Sequence, residues 1–485
     1  MTTGLSGDEA HYLLYARHLD WSYFDHPPLV GWLQAPMVRL TESVEFLRVL
    51  PQLVWLVSAG LLWQLSLEVS GDRRVAAWSI ILFSTSPLLH IHGMALLPDT
   101  LLGLWSLLAA LVALRILRNP NAWLPWLWLG LLLGLGGLSK YSAVFLALGL
   151  AAYLLWAIPL GRAWPWPQAL LAVFVGLVLV SPVFLWNAAN DWISFSYQGG
   201  HVSGGEWRFK NLAGFFLGQL LTYGPAMFLG LIAFAWGWRG RESVSLIHAH
   251  VGLLAVFLAF LGVLAWLSGG GRSLPYWTSP GWLIALPFIA AGVCGLGRVA
   301  RRVLVGMLAL WVGITVLVAA ALQSGSLGPL VGFSGPTAFG ERNRGLANPF
   351  AEVHGWDIAG EALLELDRRD RPGADFGAVS VGNWTMASRL GWYAWPMPVL
   401  VIDRRFDQFD LWWKDRTRGG GAAQPANDRV WFVEWSEMQT GKYLDKRLQC
   451  GEAPATEVRT PPRGWTVGGD LSVFRIYECR LKPGD

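Results

Sequence analysis

The residues best suited to do chemistry are concentrated at the start of the chain. The segment GDEAHYLLYARHLDWSYFDHPP, residues 7–28, combines carboxylates, histidines and aromatic side chains. A positioned carboxylate can remove a proton from a hydroxyl or amine nucleophile, which predicts general-base chemistry for this segment. The candidate groups in it are Asp8, Glu9, His11, Asp25 and His26.

Four further candidates follow in later connections: Asp99 in LLPDTLLGLW, Lys140 in GLSKYSAVF, and Arg272 and Tyr276 in GGGRSLPYW. Cations and a tyrosine hydroxyl can hold a phosphate and stabilise the charge that it takes as a leaving group. A cap at a helix start would also explain Asp99, and a lysine reaching the membrane interface would also explain Lys140. These residues alone indicate either transfer of a group from a lipid-linked phosphate or transport of an anion.

The composition indicates which kind of domain holds these residues. Of 485 residues, 54% are hydrophobic and 14% are charged, where a soluble chain carries about 25%. Residues 1–325 hold 17 basic and 12 acidic residues, against 20 and 21 in residues 326–485. The basic balance therefore comes from scattered arginines in a membrane region, and a nucleic-acid-binding surface is excluded. We expect an outer-face catalytic loop with amphipathic helices (1–46), a transmembrane domain (47–324) and an extracytoplasmic α/β domain (325–485).

About ten apolar stretches are long enough to span a membrane. Arginines occur in every second connection between the spans, which marks those connections as cytoplasmic. The opposite, outer face then holds both ends of the chain, and it also holds Asp8 and Asp99. With ten spans this orientation needs a further helix ahead of Asp8, and we expect one upstream. The predicted spans are 47–69, 75–97, 99–117, 122–139, 141–160, 167–187, 211–237, 246–268, 275–296 and 303–323.

The remaining elements are predicted from periodicity. Leucines and aromatics at helical spacing predict an amphipathic helix on the membrane surface from Asp8, and a second one at 29–40. The tail pattern predicts helices at 355–370 and 383–393 and a loop tip at 419–421. Cys450 and Cys479 form a disulfide if the tail lies in an oxidising compartment, and two unrelated thiols are the alternative. Strands are predicted at 376–381, 398–402, 429–435 and 471–479.

The motifs together resemble a known family. DEAHYLLYARHLDWSYFDHPPLVGWL, LLPDTLLGLW, GLSKYSAVF and GRSLPYWTSPGW, with GWDIAGEAL, WTMASRLGWYA and RRFDQFDLW in the tail, are similar to polyprenyl-phosphate-dependent glycosyltransferases with the C-type (GT-C) fold. This grouping includes bacterial relatives of protein O-mannosyltransferases and the aminoarabinose-to-lipid-A transferases. The resemblance implies a polytopic α-helical membrane protein with a small C-terminal α/β domain. It also implies that the protein lies in the bacterial cytoplasmic membrane with its active site on the periplasmic side.

The resemblance implies roles for individual residues. Asp8, with Glu9 beside it, corresponds to the essential carboxylate of the first-loop motif, and Asp99 to a second acidic position. The sugar would leave a polyprenyl phosphate for a lipid, glycan or protein acceptor, with inversion. The aminoarabinose transferases have Glu-Lys-Pro-Pro where this chain has Asp25-His26-Pro27-Pro28, and an arginine where it has His11. These differences argue against aminoarabinose as the transferred sugar. The group expected around the donor phosphate is His26, Lys140, Arg272 and Tyr276.

Two other classes of protein remain open. A transporter or flippase of anionic polyprenyl lipids would use the same cations, but it gives no reason for the acidic segment, and no paired broken spans are evident. An envelope-assembly scaffold would treat the acidic segment as surface. No cofactor is expected, and a divalent metal at Asp25 and a nearby histidine is not favoured, since such a pair is more often a hydrogen-bonded structural unit.

Overall fold

The computed structural model describes residues 3–158, 164–203, 206–237, 247, 249–271, 273–325, 351–370, 376–403, 405–418, 429–438, 447–460 and 470–482. The chain divides into two compact units. The membrane unit is Leu19–Met37 with Phe46–Thr315, and the sheet unit is Met1–His18, Val38–Glu45 and Val316–Asp485. The first helix of the chain therefore belongs to the same unit as the C-terminal region.

The described part of the chain is mainly helical, and short 3-10 turns at Val251–Leu253 and Pro275–Thr278 precede two of the helices. The helices, in chain order, are α1 (Gly7–Arg17), α2 (Leu29–Leu40), α3 (Val44–Leu47), α4 (Val49–Ser70), α5 (Arg73–Thr85), α6 (Pro87–Ile91), α7 (Pro98–Arg118), α8 (Trp123–Ser139), α9 (Ala143–Ala157), α10 (Trp166–Ala189), α11 (Ile193–Ser203), α12 (Phe209–Tyr223), α13 (Pro225–Gly237), α14 (Leu254–Gly270), α15 (Ser279–Gly295), α16 (Arg298–Ser324), α17 (Trp356–Asp370), α18 (Trp384–Tyr393) and α19 (Gln408–Arg418).

Six described helical stretches are long and apolar enough to cross a membrane, against the ten predicted. A seventh is added if α12 and α13, which meet at a bend of 104°, make one span. The other three predicted spans also coincide with helices, but α5, α8 and α9 have only 13, 17 and 15 residues. A break at Ser86-Pro87 ends α5 well before residue 97, whereas α8 is one residue shorter than its predicted span and α9 ends beside residues 159–163, which lie outside the described ranges. The six stretches are Val44–Ser70, Pro98–Arg118, Trp166–Ala189, Val251–Gly270, Pro275–Gly295 and Arg298–Ser324.

Glycines let the membrane helices approach closely. A Cβ atom on Gly130 of α8 would lie 2.5 Å from the carbonyl oxygen of Ala172 on α10. In the same way, a Cβ atom on Gly292 of α15 would lie 2.1 Å from the carbonyl oxygen of Gly230 on α13. Small residues at such contacts are the usual means by which membrane helices pack, since lipid provides no hydrophobic drive. These two contacts hold α8 against α10 and α13 against α15.

The sheet unit is built on one mixed sheet. Its strands are β1 (Ala378–Val381), β2 (Val399–Val401), β3 (Arg429–Trp435), β4 (Leu448–Cys450), β5 (Thr456–Thr460) and β6 (Ser472–Leu481). The order is β2-β1-β3-β6-β4, with β5 also on β6; β1 is parallel to β2 and β3, and the pairs made by β6 are antiparallel.

The four strands and two helices predicted in the tail coincide with β1, β2, β3, β6, α17 and α18. Cys450 and Cys479 lie opposite each other on β4 and β6 and form a disulfide. The predicted loop tip at 419–421 lies outside the described residues. Sequence reasoning missed α19 and the short strands β4 and β5.

The helix that begins the chain corrects one prediction. Every residue of α1 from Ala10 to Ala16 is buried, on all sides of the helix. Leu14 belongs to the sheet unit's core together with Leu390 of α18 and Val399 of β2. The expectation that α1 is an amphipathic helix lying on the membrane surface is therefore wrong. Its apolar residues are buried in the protein rather than in lipid.

Candidate functional site

A buried ion pair forms the centre of the polar site in the membrane unit. Lys140 Nζ donates to Asp99 Oδ2 at 2.6 Å, and the two side chains are only 7% and 2% exposed. Asp99 lies in the first turn of α7, where the helix dipole favours a carboxylate, and Lys140 is the residue that ends α8. The rings of Tyr276 and Trp277 lie 5.1 and 5.5 Å from the same ammonium group, as cation–π contacts.

Two simpler interpretations do not hold, namely that Asp99 is the capping residue of a helix and that Lys140 reaches to the membrane interface. Leu97, not Asp99, is the residue that precedes α7, and the side chain that accepts from the Leu97 backbone N–H is that of Thr100, at 3.3 Å. Lys140 does not extend to an interface, because its ammonium group is buried against Asp99. Within the part of the chain that the structure describes, Asp99 Oδ1 is buried without a hydrogen-bond partner. The ion pair is therefore costly, and a pair that is costly in a membrane protein marks a functional site more often than a structural one.

A hydrogen-bonded network fixes the turn that carries Tyr276. Gln219 of α12 donates to the carbonyl of Pro275 at 3.2 Å and accepts from the Thr278 hydroxyl at 2.7 Å. The Trp282 indole donates to the same Gln219 amide oxygen at 2.8 Å. The aromatic rings over the ion pair are thus held by buried polar contacts on both sides of the turn.

The FDHPP segment is tied down by α11. The Ser194 hydroxyl donates to the carbonyl of Tyr23 at 2.9 Å, and the Gln198 amide donates to the carbonyl of Asp25 at 2.7 Å. The amide N–H of Tyr23 donates to the carbonyl of His26 at 3.1 Å, which closes the turn. The position of His26 therefore depends on backbone contacts that the motif spacing alone does not reveal.

The same segment approaches the ion pair through the residue after Lys140. The hydroxyl oxygens of Ser22 and Tyr141 are 3.5 Å apart, and the charge of Asp25 is close enough to act on the Tyr141 phenol. Five predicted site residues, Asp25, His26, Asp99, Lys140 and Tyr276, therefore lie in the membrane unit. Arg272 lies outside the described residues.

Sequence reasoning missed His92, which follows α6. Its ring is buried, at 5% exposure, and lies within electrostatic reach of Lys140. Among the described residues, its Nε2 atom has no hydrogen-bond partner. The only sequence signal was a histidine in an apolar run (HIHGMALL), which does not distinguish it from a packed core residue.

Asp8 and Glu9 lie in the sheet unit, at the start of α1. Glu9 belongs to a capping box, in which its carboxylate accepts from the backbone N–H of Ser6 at 3.1 Å and the Ser6 hydroxyl accepts from the Glu9 N–H at 3.3 Å. This pairing satisfies two backbone donors at the helix start and fixes its direction. The carboxylate of Glu9 is thus engaged in local structure.

A buried arginine beside Asp8 was also missed. Arg389 of α18 is fully buried, pairs with Glu352 and lies over the Trp356 ring, 4.8 Å from its centroid. Burial lowers the pKa of Arg389, and the charges of Glu352 and Asp8 offset part of that effect. Asp8 is therefore held in the field of a fixed cation. The motif WTMASRLGWYA contains this arginine, but its partner is 37 residues away in sequence.

His11 is engaged inside the sheet unit. Its Nδ1 atom is 3.1 Å from the Ser388 hydroxyl, and both side chains are buried. The charge of His11 also acts on Asp407, the residue before α19. Within the described ranges, no three His, Cys, Asp or Glu side chains are grouped as metal ligands are.

Comparison with known proteins gives partial sequence matches to one family and to two individual proteins. Residues 25–186 match the family described as dolichyl-phosphate-mannose-protein mannosyltransferase. The lipid A galacturonosyltransferase RgtD of Rhizobium johnstonii is 26% identical over 241 residues, which is 49% of this chain and 50% of that protein. The lipopolysaccharide core galacturonosyltransferase RgtA of the same organism is 30% identical over 186 residues, covering 38% and 37%. The chain thus spans half or less of the length of these relatives.

The structural match extends over almost the whole chain. The crystal structure of ArnT from Cupriavidus metallidurans in the apo state covers 98% of this chain and 93% of its own, with a TM-score of 0.58 and 14% identity. The structure of the same ArnT bound to undecaprenyl phosphate matches with the same score, identity and coverage of this chain. The resemblance that the sequence motifs indicate is thereby confirmed for the fold: this chain has the C-type glycosyltransferase fold in the form seen in ArnT.

Proposed function

We propose that this integral membrane protein is an inverting glycosyltransferase that moves a sugar from a polyprenyl phosphate to an acceptor. We place the reaction on the periplasmic face of the bacterial cytoplasmic membrane, from the arginine pattern of the connections. The observation that carries the proposal is the buried Asp99–Lys140 pair under the rings of Tyr276 and Trp277. A buried ammonium beside aromatic rings suits a lipid phosphate, which would bring it a further negative charge.

The donor phosphate is assigned to Lys140, His26, Arg272 and Tyr276. Asp99 accepts a hydrogen bond from Lys140 Nζ and holds it in place, which suits Asp99 to a positioning role better than to the role of base. In the reaction, the acceptor oxygen forms a bond to the anomeric carbon and the bond from that carbon to the phosphate oxygen breaks. The lipid phosphate leaves with its negative charge stabilised by the cations.

Asp8 is assigned as the base that accepts the proton of the acceptor nucleophile. Glu9 supports it through the capping box that fixes the start of α1, and Arg389 supports it with a fixed positive charge. Since RgtD and RgtA are named for galacturonosyl transfer to lipid A and to lipopolysaccharide core, we take a polyprenyl-phosphate galacturonic acid and a lipid A acceptor as the first substrates to try.

The test uses purified protein in nanodiscs with labelled donor and lipid A. We expect Asp8→Asn to lower the transfer rate by about 10²–10⁴-fold, the usual contribution of a general base. Glu206→Gln is the matched control, because Glu206 is exposed and pairs with the exposed Arg208. Full transfer by Asp8→Asn contradicts the assigned role. Equilibration of donor across vesicles without transfer, by the wild-type protein, contradicts the enzyme and supports a flippase.

A further inference from the structure

A second pocket lies in the membrane unit, away from the ion pair. Its volume is about 760 Å³, within the range of ligand sites. It is formed where α5 begins, where α13 and α15 end and where α16 begins. The residues that matter below are Asp72, Arg74, Trp236, Ala300 and Val303, all of which line it.

The pocket and the Asp99 site lie at opposite ends of the helices. Asp99 is in the first turn of α7, and Arg118, in its last turn, pairs with Glu68 of α4. Two residues after α4 ends, Asp72 caps α5 and lines the pocket. Because α7 has 21 residues, its ends are about 30 Å apart. The pocket is therefore no part of the site assigned to the donor phosphate.

The pocket opens towards lipid. Trp236 is 82% exposed and Val303 is 58% exposed, although both are large apolar side chains of helices in the membrane unit. Side chains of this kind are stable when they face hydrocarbon, so a ligand can enter sideways from the bilayer.

The segments beside the opening are rich in arginine, although Asp72 and Arg74, which line the pocket, form an ion pair at 3.0 Å. The segments that flank the pocket, residues 72–74 and 298–302, carry five arginines and one aspartate. Arg301 lies beside the pocket without lining it, and its position is fixed because its Nη2 donates to the carbonyls of Cys294 and Leu296, which do line it, at 2.8 and 3.0 Å. Its Nε atom is buried with no hydrogen-bond partner in the described part of the chain. An anion at this place would meet a guanidinium that already has a fixed position.

We propose that this pocket binds an anionic phospholipid, with an acyl chain among the apolar side chains and the phosphate near Arg74 and Arg301. Basic pockets between membrane helices on the cytoplasmic side take such headgroups. The arginine pattern puts the pocket on that side. The proposal does not depend on the transferase activity, because binding is measured without donor or acceptor.

The test measures lipid binding to the purified full chain by native mass spectrometry. Dioleoylphosphatidylglycerol and dioleoylphosphatidylcholine are compared, since they differ in headgroup charge. Wild type is expected to bind phosphatidylglycerol at least ten-fold more tightly. Each arginine removed is expected to weaken that binding about five-fold, so Arg74→Gln with Arg301→Gln should nearly abolish the preference.

Two further variants separate headgroup from chain binding. Ala300→Trp places a large ring at an exposed position of the pocket and should weaken binding of both lipids. Arg115→Gln is the control, because Arg115 is exposed, lies in the last turn of α7 and does not line the pocket. Equal binding of the two lipids by wild type, or an equal loss in Arg115→Gln, overturns the proposal. If Arg301→Gln lowers the thermal stability, Arg74→Gln alone decides the outcome.

Discussion

Replacing Asp407 by Asn should stabilise the sheet unit at neutral pH. Asp407 is 6% exposed and precedes α19, where its Oδ1 accepts from the backbone N–H of Phe409 at 2.8 Å. Burial, helped by the charge of Asp410, raises the pKa of Asp407 from 3.8 to about 6. An asparagine keeps the Oδ1 acceptor and removes the charge, so the change isolates the cost of ionisation.

The size and sign of the effect follow from linkage. The folded state binds the Asp407 proton more tightly than the unfolded state, so stability falls as pH rises from about 4 to about 6 and is then constant. The difference of about two pKa units corresponds to about 3 kcal/mol above pH 6. This is an upper bound, since the amide also loses any attraction to His11. For a unit of this size, about 3 kcal/mol raises Tm by roughly 6–12 °C.

The assay is thermal unfolding of the full protein in detergent, followed by tryptophan fluorescence at several pH values. The Tm of Asp407→Asn minus that of wild type should be near zero at pH 4 and should grow up to pH 6.5. Asp357→Asn, at an exposed position in the first turn of α17, should show no such growth. A difference that stays flat across this range, or a variant less stable than wild type at pH 7.5, would refute the reasoning.

Three other outcomes are expected, each measured by thermal or denaturant unfolding. Lys140→Met leaves Asp99 buried without its cation and should lower the free energy of unfolding by about 3–5 kcal/mol. Replacing Asp99 by Asn in the same protein should restore a large part of that loss. Gly292→Leu forces a side chain onto a backbone carbonyl of α13 and should cost more than 3 kcal/mol, whereas Gly297→Ala, with open space around it, should cost little. Cys479→Ser opens a disulfide with a sequence separation of 29 and should cost about 3–4 kcal/mol, and a reductant should affect wild type but not the variant.

A helix or strand could be predicted from the sequence where a local hydrophobic pattern defined it. Long apolar runs located the membrane helices, and short β-rich runs located β1, β2, β3 and β6, because burial there follows from local composition. The length of the predicted span at 75–97 was overestimated, because hydropathy averages over the Ser86-Pro87 break that ends α5. The position of α1 could not be predicted, since its buried face is complementary to residues near 390 and not to its own neighbours.

The candidate site likewise has residues that the local sequence predicts and residues that depend on distant contacts. Asp99, Lys140 and Tyr276 stand out as polar groups in apolar surroundings, and the cost of burying them made them candidates before any geometry was known. Their pairing depends on which helix ends meet. Arg389 and His92 were missed because each lies in a segment that reads as ordinary core. What gives them significance is a group distant in the sequence: Arg389 pairs with Glu352, and His92 lies within electrostatic reach of Lys140.

The place of α1 in the sheet unit sets the order in which the protein can be completed. Leu14 packs with residues that follow position 350, so α1 emerges from the ribosome more than 330 residues before its neighbours. At 5–20 residues per second, the delay is roughly 20–70 s. Throughout that time the helix that carries Asp8 has no core to fold against, while the membrane helices are being inserted. The sheet unit is therefore completed by packing a segment that was synthesised before the membrane helices, and a chain arrested before the sheet unit would reach the membrane with α1 unassembled.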